Sequence, residues 1–458
     1  MDVYEGLKKC KRVIAGINEA GLKTNKSCRD IDVISLCNGE GIRRPPLAIN
    51  RALITSAVEN CQSSFEKYSY LIRDNRLEEA IKKYSSIRKD LPVAIDMGST
   101  RIFNNIFNHI LPKQSKIFIE VGFYHSFIAW THSANVCLCV TGDSSQHTAK
   151  TSLKSLNIGK GKYGAPAAVI IINPTYSGEL YTQSELQGII DWCRSNDSLL
   201  IEDAVFQGTE YGKTTARVLD VSRSLDNTIS VNSVSKSLGL SNLRLGWVIG
   251  CEPLVHKLSY YSDIATVSIP FLTANIASEA LLEHQDYKIF CKEQNVLRVK
   301  FLTNLIQTKN QRLICRLGGN RDWLAIKSKP VSGQNMFIYF PAIETAFSQL
   351  GLVDSADLCE KIANKSGVML SPLLSSGYKD STCRISFSGV DVNKGYKISQ
   401  KYEVKVIDSV LKKQLVDITY YEQQLNNELS TIYIETLDIF EQAIDKIAEA
   451  VIDIVEGK

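Results

Sequence analysis

The chain has 458 residues, 44% of them apolar and 22% charged, with a formal charge of +4. That balance fits a folded chain of two domains and excludes a disordered or fibrous one. So small a charge, with no block of like charges, leaves no nucleic-acid arm and no polybasic membrane patch. The amino terminus mixes Asp2 and Glu5 with Lys8, Lys9 and Lys11, so no secretory signal is expected. The longest apolar runs, such as 167–172, are too short to cross a bilayer. Twelve cysteines lie scattered, with no C-x-x-C pair and no histidine at zinc spacing. They read as reduced thiols of a cytoplasmic protein without a metal site.

In chain order, residues 77–88 read as a charged amphipathic helix, and 101–110 as a helix entered through Asp96-Met-Gly98-Ser99-Thr100. Short β-branched runs follow at 116–121, 136–140, 167–173, 198–203, 228–233 and 245–250. Several are apolar at consecutive positions, as in Val169, Ile170, Ile171 and Ile172, which suits strands covered on both faces. Between two of them Thr182 is placed to cap a helix whose third residue is Glu185. Leu186, Ile189, Ile190 and Trp192 then form one face. Residues 253–283 read as mainly helical and 287–308 as a long helix leading out of the sheet.

From about Cys315 the pattern changes to strands at 336–340, 368–370 and 383–388 around a helix at 356–366. The expected fold is α/β, with a mostly parallel central sheet flanked by helices and a smaller α+β domain. The large domain should span 61–314 and the small one 315–458, with 1–60 contributing to the latter. Residues 391–433, polar and tyrosine-containing, have no place in this scheme, whereas 434–455 show helical apolar spacing.

The most specific stretch is Ser233-Val-Ser235-Lys236-Ser-Leu-Gly-Leu-Ser-Asn-Leu-Arg244-Leu-Gly246. An amine, flanking hydroxyls and a guanidinium are what a cofactor bearing an aldehyde and a phosphate requires. One strand earlier, Ile201-Glu202-Asp203-Ala-Val-Phe206 delivers a carboxylate at a strand's carboxyl end, where open α/β sheets bind ligands.

The lysine stretch resembles the signature of class I and II aminotransferases at every restricted position. The resemblance runs from about Ser35 to Gly389. It implies the pyridoxal-phosphate fold type I, with the small domain built from both termini. It also implies pyridoxal 5'-phosphate as cofactor, held as an imine by Lys236, with Ser233, Ser235 and Arg244 on the phosphate and Asp203 on the pyridine nitrogen. Asn173, in Asn173-Pro-Thr-Tyr-Ser-Gly178, would hydrogen-bond the ring hydroxyl. Gly98, Ser99 and Thr100 resemble the phosphate loop. Tyr124 stands where the family stacks an aromatic on the ring, with Phe123 and His125 as neighbours able to take that place. Tyr68, with Tyr70 as its rival, resembles the tyrosine that reaches a neighbouring subunit's phosphate, implying a homodimer. Arg384, in Cys383-Arg-Ile-Ser-Phe387, would fork onto the substrate's α-carboxylate, and Gly39 resembles the segment that closes over the substrate.

Two departures stand out. Phe206 replaces the family's tyrosine and cannot donate to the ring hydroxyl, and Tyr176-Ser177 are inserted before Gly178. The implied activity is amino transfer between an amino acid and a 2-oxo acid. The alternatives are a lyase, cyclase or amino-acid oxidase on the same fold, or a non-catalytic binding protein of that shape.

Overall fold

The computed structural model describes residues 33–37, 46–59, 76–87, 90–142, 148–222, 225–387, 393–412, 414–435 and 437–457. Gly39, Tyr68 and Tyr70 lie outside the described residues. The described chain opens with β1 (Ile34–Ser35), α1 (Ala48–Glu59) and α2 (Arg76–Tyr84). In α2, Glu78 and Lys82 form an i,i+4 ion pair of 2.7 Å.

The central sheet is built from β2 (Val93–Asp96), β3 (Lys116–Ile119), β4 (Cys137–Val140), β5 (Ala168–Ile172), β6 (Leu199–Asp203), β7 (Thr228–Ser233) and β8 (Gly246–Gly250), in the order β2-β8-β7-β6-β5-β3-β4. All pairings are parallel except those of β8, which runs against both β2 and β7. The reversal decides where the site lies. The start of β8 sits at the edge where the parallel strands end, so Gly246 pairs with both Asp96 and Ser233. The residues just before β8, Arg244 included, therefore arrive beside the loops that follow β2, β6 and β7.

Helices cover both faces. Ile170 and Ile172 of β5 pack with Phe103 of α3 (Ser99–Asn105), Phe127 of α4 (Ser126–Ser133) and the later residues Val255 and Leu258. The alternate residues Val169 and Ile171 meet Leu156 of α5 (Leu153–Tyr163) and Leu186 and Ile190 of α6 (Gln183–Ser195). That alternation explains the unbroken apolar run: both faces of β5 are dry. Each such side chain contributes about 1.5–3 kcal/mol relative to exposure. At the head of α6 the capping box forms as read, Thr182 accepting from Glu185 N–H and Glu185 accepting from Thr182 N–H. After α3 the chain continues as a π-helical segment, Ile106–Ile110.

The region read as one helical stretch after Gly250 divides into α7 (Glu252–Thr266) and α8 (Phe271–Leu282). Val267, at φ +63°, ends the first, and Pro270 precedes the second. The long helix α9 (Gln285–Leu317) then leads to an antiparallel sheet in which β9 (Ala325–Ser328), β10 (Asn335–Tyr339), β12 (Ser371–Pro372) and β13 (Cys383–Ser386) lie in the order β12-β13-β10-β9. The short β11 (Val368–Met369) pairs in parallel with β1. Leu36 thereby joins the core formed by this sheet, the end of α9, α10 (Ser355–Ser366) and the last helix.

The segment 391–433, which has no place in the sequence reading, is spanned in its described residues by α11 (Asn393–Leu411) and α12 (Ile418–Glu435), before α13 (Leu437–Glu456). They pack on each other, on α1 and on α9. Tyr402, Val406, Leu425 and Leu429 are buried with Leu47, Ala48, Tyr287 and Phe290. Glu422 accepts a hydrogen bond from Leu47 N–H at 2.8 Å. Ile398, Tyr402, Val406 and Val410, then Ile418, Tyr421, Leu425 and Leu429, recur at helical spacing among polar neighbours, and the surfaces that bury them are remote in sequence.

Candidate functional site

At the carboxyl edge of the central sheet lies a cavity of about 410 Å³ into which Lys236, Asp203, Arg244 and Arg384 all reach. Ser233 ends β7 and the loop after it carries Ser235 and Lys236, and all three line the cavity. Arg244 has left-handed backbone (φ +51°), and its Nη1 donates to Ser241 O at 2.8 Å, turning the side chain back across the loop.

Two glycines let that arginine close. A Cβ on Gly98 (φ +82°) would meet Arg244 Nη2 at 2.8 Å, and one on Gly246 would meet Ser99 N at 2.4 Å. Side chains are excluded at both positions, and the Ser99–Thr100 turn is brought against the guanidinium. Asp96 fixes this turn from below, accepting from Met97 N–H, from Asn105 Nδ2 at 3.0 Å and from the Ser262 hydroxyl.

Asp203 ends β6 and is buried. Burial pushes its carboxyl up to about 7. The hydrogen bond from Val205 N–H and the charge of Lys236 oppose this rise, while Glu202 adds to it. A cation placed against Asp203 would relieve that desolvation. Phe206 and Tyr124 also line the cavity. Of the two residues flanking Tyr124, His125 reaches it, whereas Phe123 is fully buried in the core.

Arg384, on β13, is 6% exposed. It donates through Nη1 to the Tyr176 hydroxyl and through Nη2 to Cys37 O and to Ser371 Oγ, the last at 3.0 Å. Its Nε is buried without a hydrogen-bond partner.

One expected site residue stands apart from the others. Asn173 is not among the residues that line the cavity. Its Nδ2 donates to Glu202 Oε1 and to Ala216 O, both at 2.7 Å, and its Oδ1 accepts from Thr215 Oγ1 at 2.6 Å. Glu202 in turn accepts from Ser230 Oγ at 2.7 Å and from Val218 N–H at 3.2 Å, and burial raises its pKa. The asparagine amide thus completes a polar network behind the strand ends instead of facing a ligand.

The family model for aminotransferase class I and II matches residues 31–395. The chain belongs to that family. It is a pyridoxal-phosphate-dependent transaminase. An aspartate aminotransferase of Bacillus sp. (strain YM-2) is 21% identical over 370 residues, covering 78% of this chain and 88% of that protein. Kynurenine–oxoglutarate transaminase 3 of Mus musculus is 31% identical over 102 residues, 22% of each chain. The fold matches that of the Thermotoga maritima aspartate aminotransferase (TM-score 0.67, 20% identity), covering 88% of this chain and 97% of that one. It also matches the Rhizobium meliloti enzyme (TM-score 0.69, 17% identity), covering 86% and 96%.

The aminotransferase's cavity fits pyridoxal phosphate by its donor set. An amine, two serine hydroxyls and a guanidinium stand against a helix start, with a desolvated carboxylate to one side. Sequence reasoning missed Cys37, Gln334 and Asn335 as lining residues, and it treated Tyr176 only as an insertion. No local pattern marks the first three. The insertion itself was the available signal for Tyr176.

Proposed function

We propose that the aminotransferase exchanges the amino group of an amino acid with a 2-oxo acid, using Lys236 as cofactor anchor and as acid–base group. The convergence of Lys236, Asp203, Arg244 and Arg384 on one cavity carries this reading. When bound, pyridoxal 5'-phosphate supplies an electron sink for negative charge at the substrate's α-carbon. Arg244, Ser233, Ser235 and the Ser99–Thr100 turn beside Gly98 hold the phosphate dianion through charge-assisted hydrogen bonds. Asp203 holds a proton on the pyridine nitrogen, a pairing that offsets the cost of its own burial. Tyr124 would pack against the ring and Phe206 would close an apolar edge of its site. Arg384 forks onto the α-carboxylate, and Lys236 Nζ takes the α-proton.

A second reading, elimination, cyclisation or oxidation on the same scaffold, is favoured by one specific pairing. Phe206 has no donor to offer the ring hydroxyl, and the Asn173 amide is committed elsewhere. Incubating the cofactor-loaded chain with amino acids and 2-oxoglutarate separates the two. New glutamate supports amino transfer; substrate consumption with ammonia and no glutamate contradicts it.

We further infer that residues 61–314 form the cofactor-binding domain and that 1–60 and 315–458 supply the smaller one, with Leu47, Ala48 and the α11–α12 hairpin packed back against the larger. A homodimer is supported by exposed apolar side chains beside the phosphate turn. These are Met97 and, on and just after α7, Tyr260, Ile264 and Val267. Free cysteines, among them the close but unbonded Cys359 and Cys383, suit action in the cytoplasm.

A further inference from the structure

We propose that Tyr176 is a specificity residue, forming a single carboxylate-recognition unit with Arg384 and walling the cavity for amino acids with neutral, apolar or aromatic side chains over acidic ones. This rests on the amino-transfer reading above and names its substrate class.

Three observations carry it. First, Tyr176 lies in the two-residue insertion after Thr175, and the loop is fixed around it. Thr175 and Ser177 share a hydrogen bond of 2.9 Å, Ser177 donates to Glu179 at 2.8 Å, and Asn335 Nδ2 reaches Tyr176 O at 3.4 Å. The ring is 8% exposed and lines the cavity, so its position is built rather than incidental.

Second, its hydroxyl takes Arg384 Nη1, and the guanidinium sits 5.4 Å from the ring centroid. The acceptors on this guanidinium, the Tyr176 hydroxyl, Cys37 O and Ser371 Oγ, are neutral. The arginine therefore keeps its full charge for a ligand, and its unpartnered Nε marks the free edge. Burial raises the phenol's pKa, so it stays protonated and can turn its own O–H onto a carboxylate held by Arg384.

Third, the surroundings of the ring are apolar. Phe206 lies at 6.0 Å, Tyr124 at 6.2 Å and Phe337 at 6.2 Å between centroids. Among the described lining residues the other basic side chains are Lys236 and Arg244, committed to the cofactor, and the imidazole of His125, packed on Tyr124 at 4.8 Å. A second carboxylate would meet aromatic rings and the amides of Gln334 and Asn335. A phenyl or aliphatic group would meet the surface it prefers.

The test uses the cofactor-loaded full chain and two unreactive acids, 3-phenylpropanoate and succinate. Binding is read by calorimetry and, separately, by the shift of the bound cofactor's absorbance. The expected result is at least tenfold tighter binding of 3-phenylpropanoate. Tyr176→Phe should weaken both acids by about the same factor, near tenfold. Tyr176→Ala should weaken 3-phenylpropanoate more than succinate, reducing the preference. Thermal melting of each variant checks that it folds, and the isosteric Phe variant carries the test where Ala does not fold. Succinate binding as tight as 3-phenylpropanoate, as a cation from a second protomer would produce, overturns the proposal. So does unchanged binding of both acids by Tyr176→Phe. A chain that never acquires a cofactor band contradicts the amino-transfer reading instead, because calorimetry still reads the acids at Arg384 and Tyr176.

Discussion

The two halves of the cavity are built differently. The cofactor half comes from neighbouring strand ends. Asp203 closes β6, Ser233 closes β7, Lys236 follows at once, and Arg244 precedes β8, whose reversed direction brings it to the same edge. The substrate half is assembled from Cys37, Tyr176, Ser371 and Arg384, which share no element and are joined by side-chain and carbonyl hydrogen bonds. A site on adjacent strand ends is positioned by the sheet itself. A site held by one guanidinium depends on every partner of that guanidinium, and it is where selectivity can change without loss of the cofactor.

Substitutions should separate the halves. The largest effect is expected from Lys236→Ala, which removes the covalent anchor and the base together. Amino transfer should fall by about 10³-fold or more, with the cofactor lost on dialysis, as absorbance and a coupled assay would show. Arg384→Lys should leave the cofactor band intact yet raise KM for the amino acid by about 100-fold, since a point charge replaces the fork. If it strips the cofactor as well, the halves are not independent.

Asp203→Asn sharpens the cofactor half through pH. An acid whose folded-state pKa is raised contributes stability below its unfolded value and loses it as pH climbs through the folded value. With Asp203 pushed up to about 7, that loss falls between pH 4 and pH 7. The cofactor-free Asn variant should match its parent near pH 4 and exceed it by up to about 4 kcal/mol at pH 8 in urea unfolding. Equal stability at both pH values would remove the desolvated carboxylate from the account.

Gly246→Ala drives a methyl to within 2.4 Å of Ser99 N. It should weaken pyridoxal phosphate by roughly ten- to hundredfold through displacement of the phosphate turn, measured by equilibrium titration. The smallest effect is expected far from the cavity. Glu422→Leu takes the acceptor from Leu47 N–H and should cost about 1 kcal/mol, a melting shift of a few degrees, with cofactor affinity unchanged.

The same contrast explains what the sequence discloses. The cofactor half was legible because its residues are contiguous and their chemistry is constrained. Ser233 to Gly246 is one stretch, and Asp203 ends a run whose apolar character announces a buried strand. Strands β3 to β8 were legible for the same reason, whereas β2, whose pattern of Val93-Ala-Ile-Asp96 is short, was not singled out. The commitment of the Asn173 amide was not legible because a residue type at the end of a strand does not say which way its amide turns; the buried acid Glu202, 29 positions away, decides that. The helical hairpin of α11 and α12 escaped because its burial depends on α1 and α9, distant in the chain. Tyr176 could be seen as an insertion, but its bond to Arg384 is a fact of tertiary structure.

The central claim is a covalent one, and borohydride reduction of the cofactor-loaded chain followed by peptide mass mapping tests it most directly. The account predicts a single reduced phosphopyridoxyl adduct, on Lys236. An adduct on another lysine, or none at all, would contradict it.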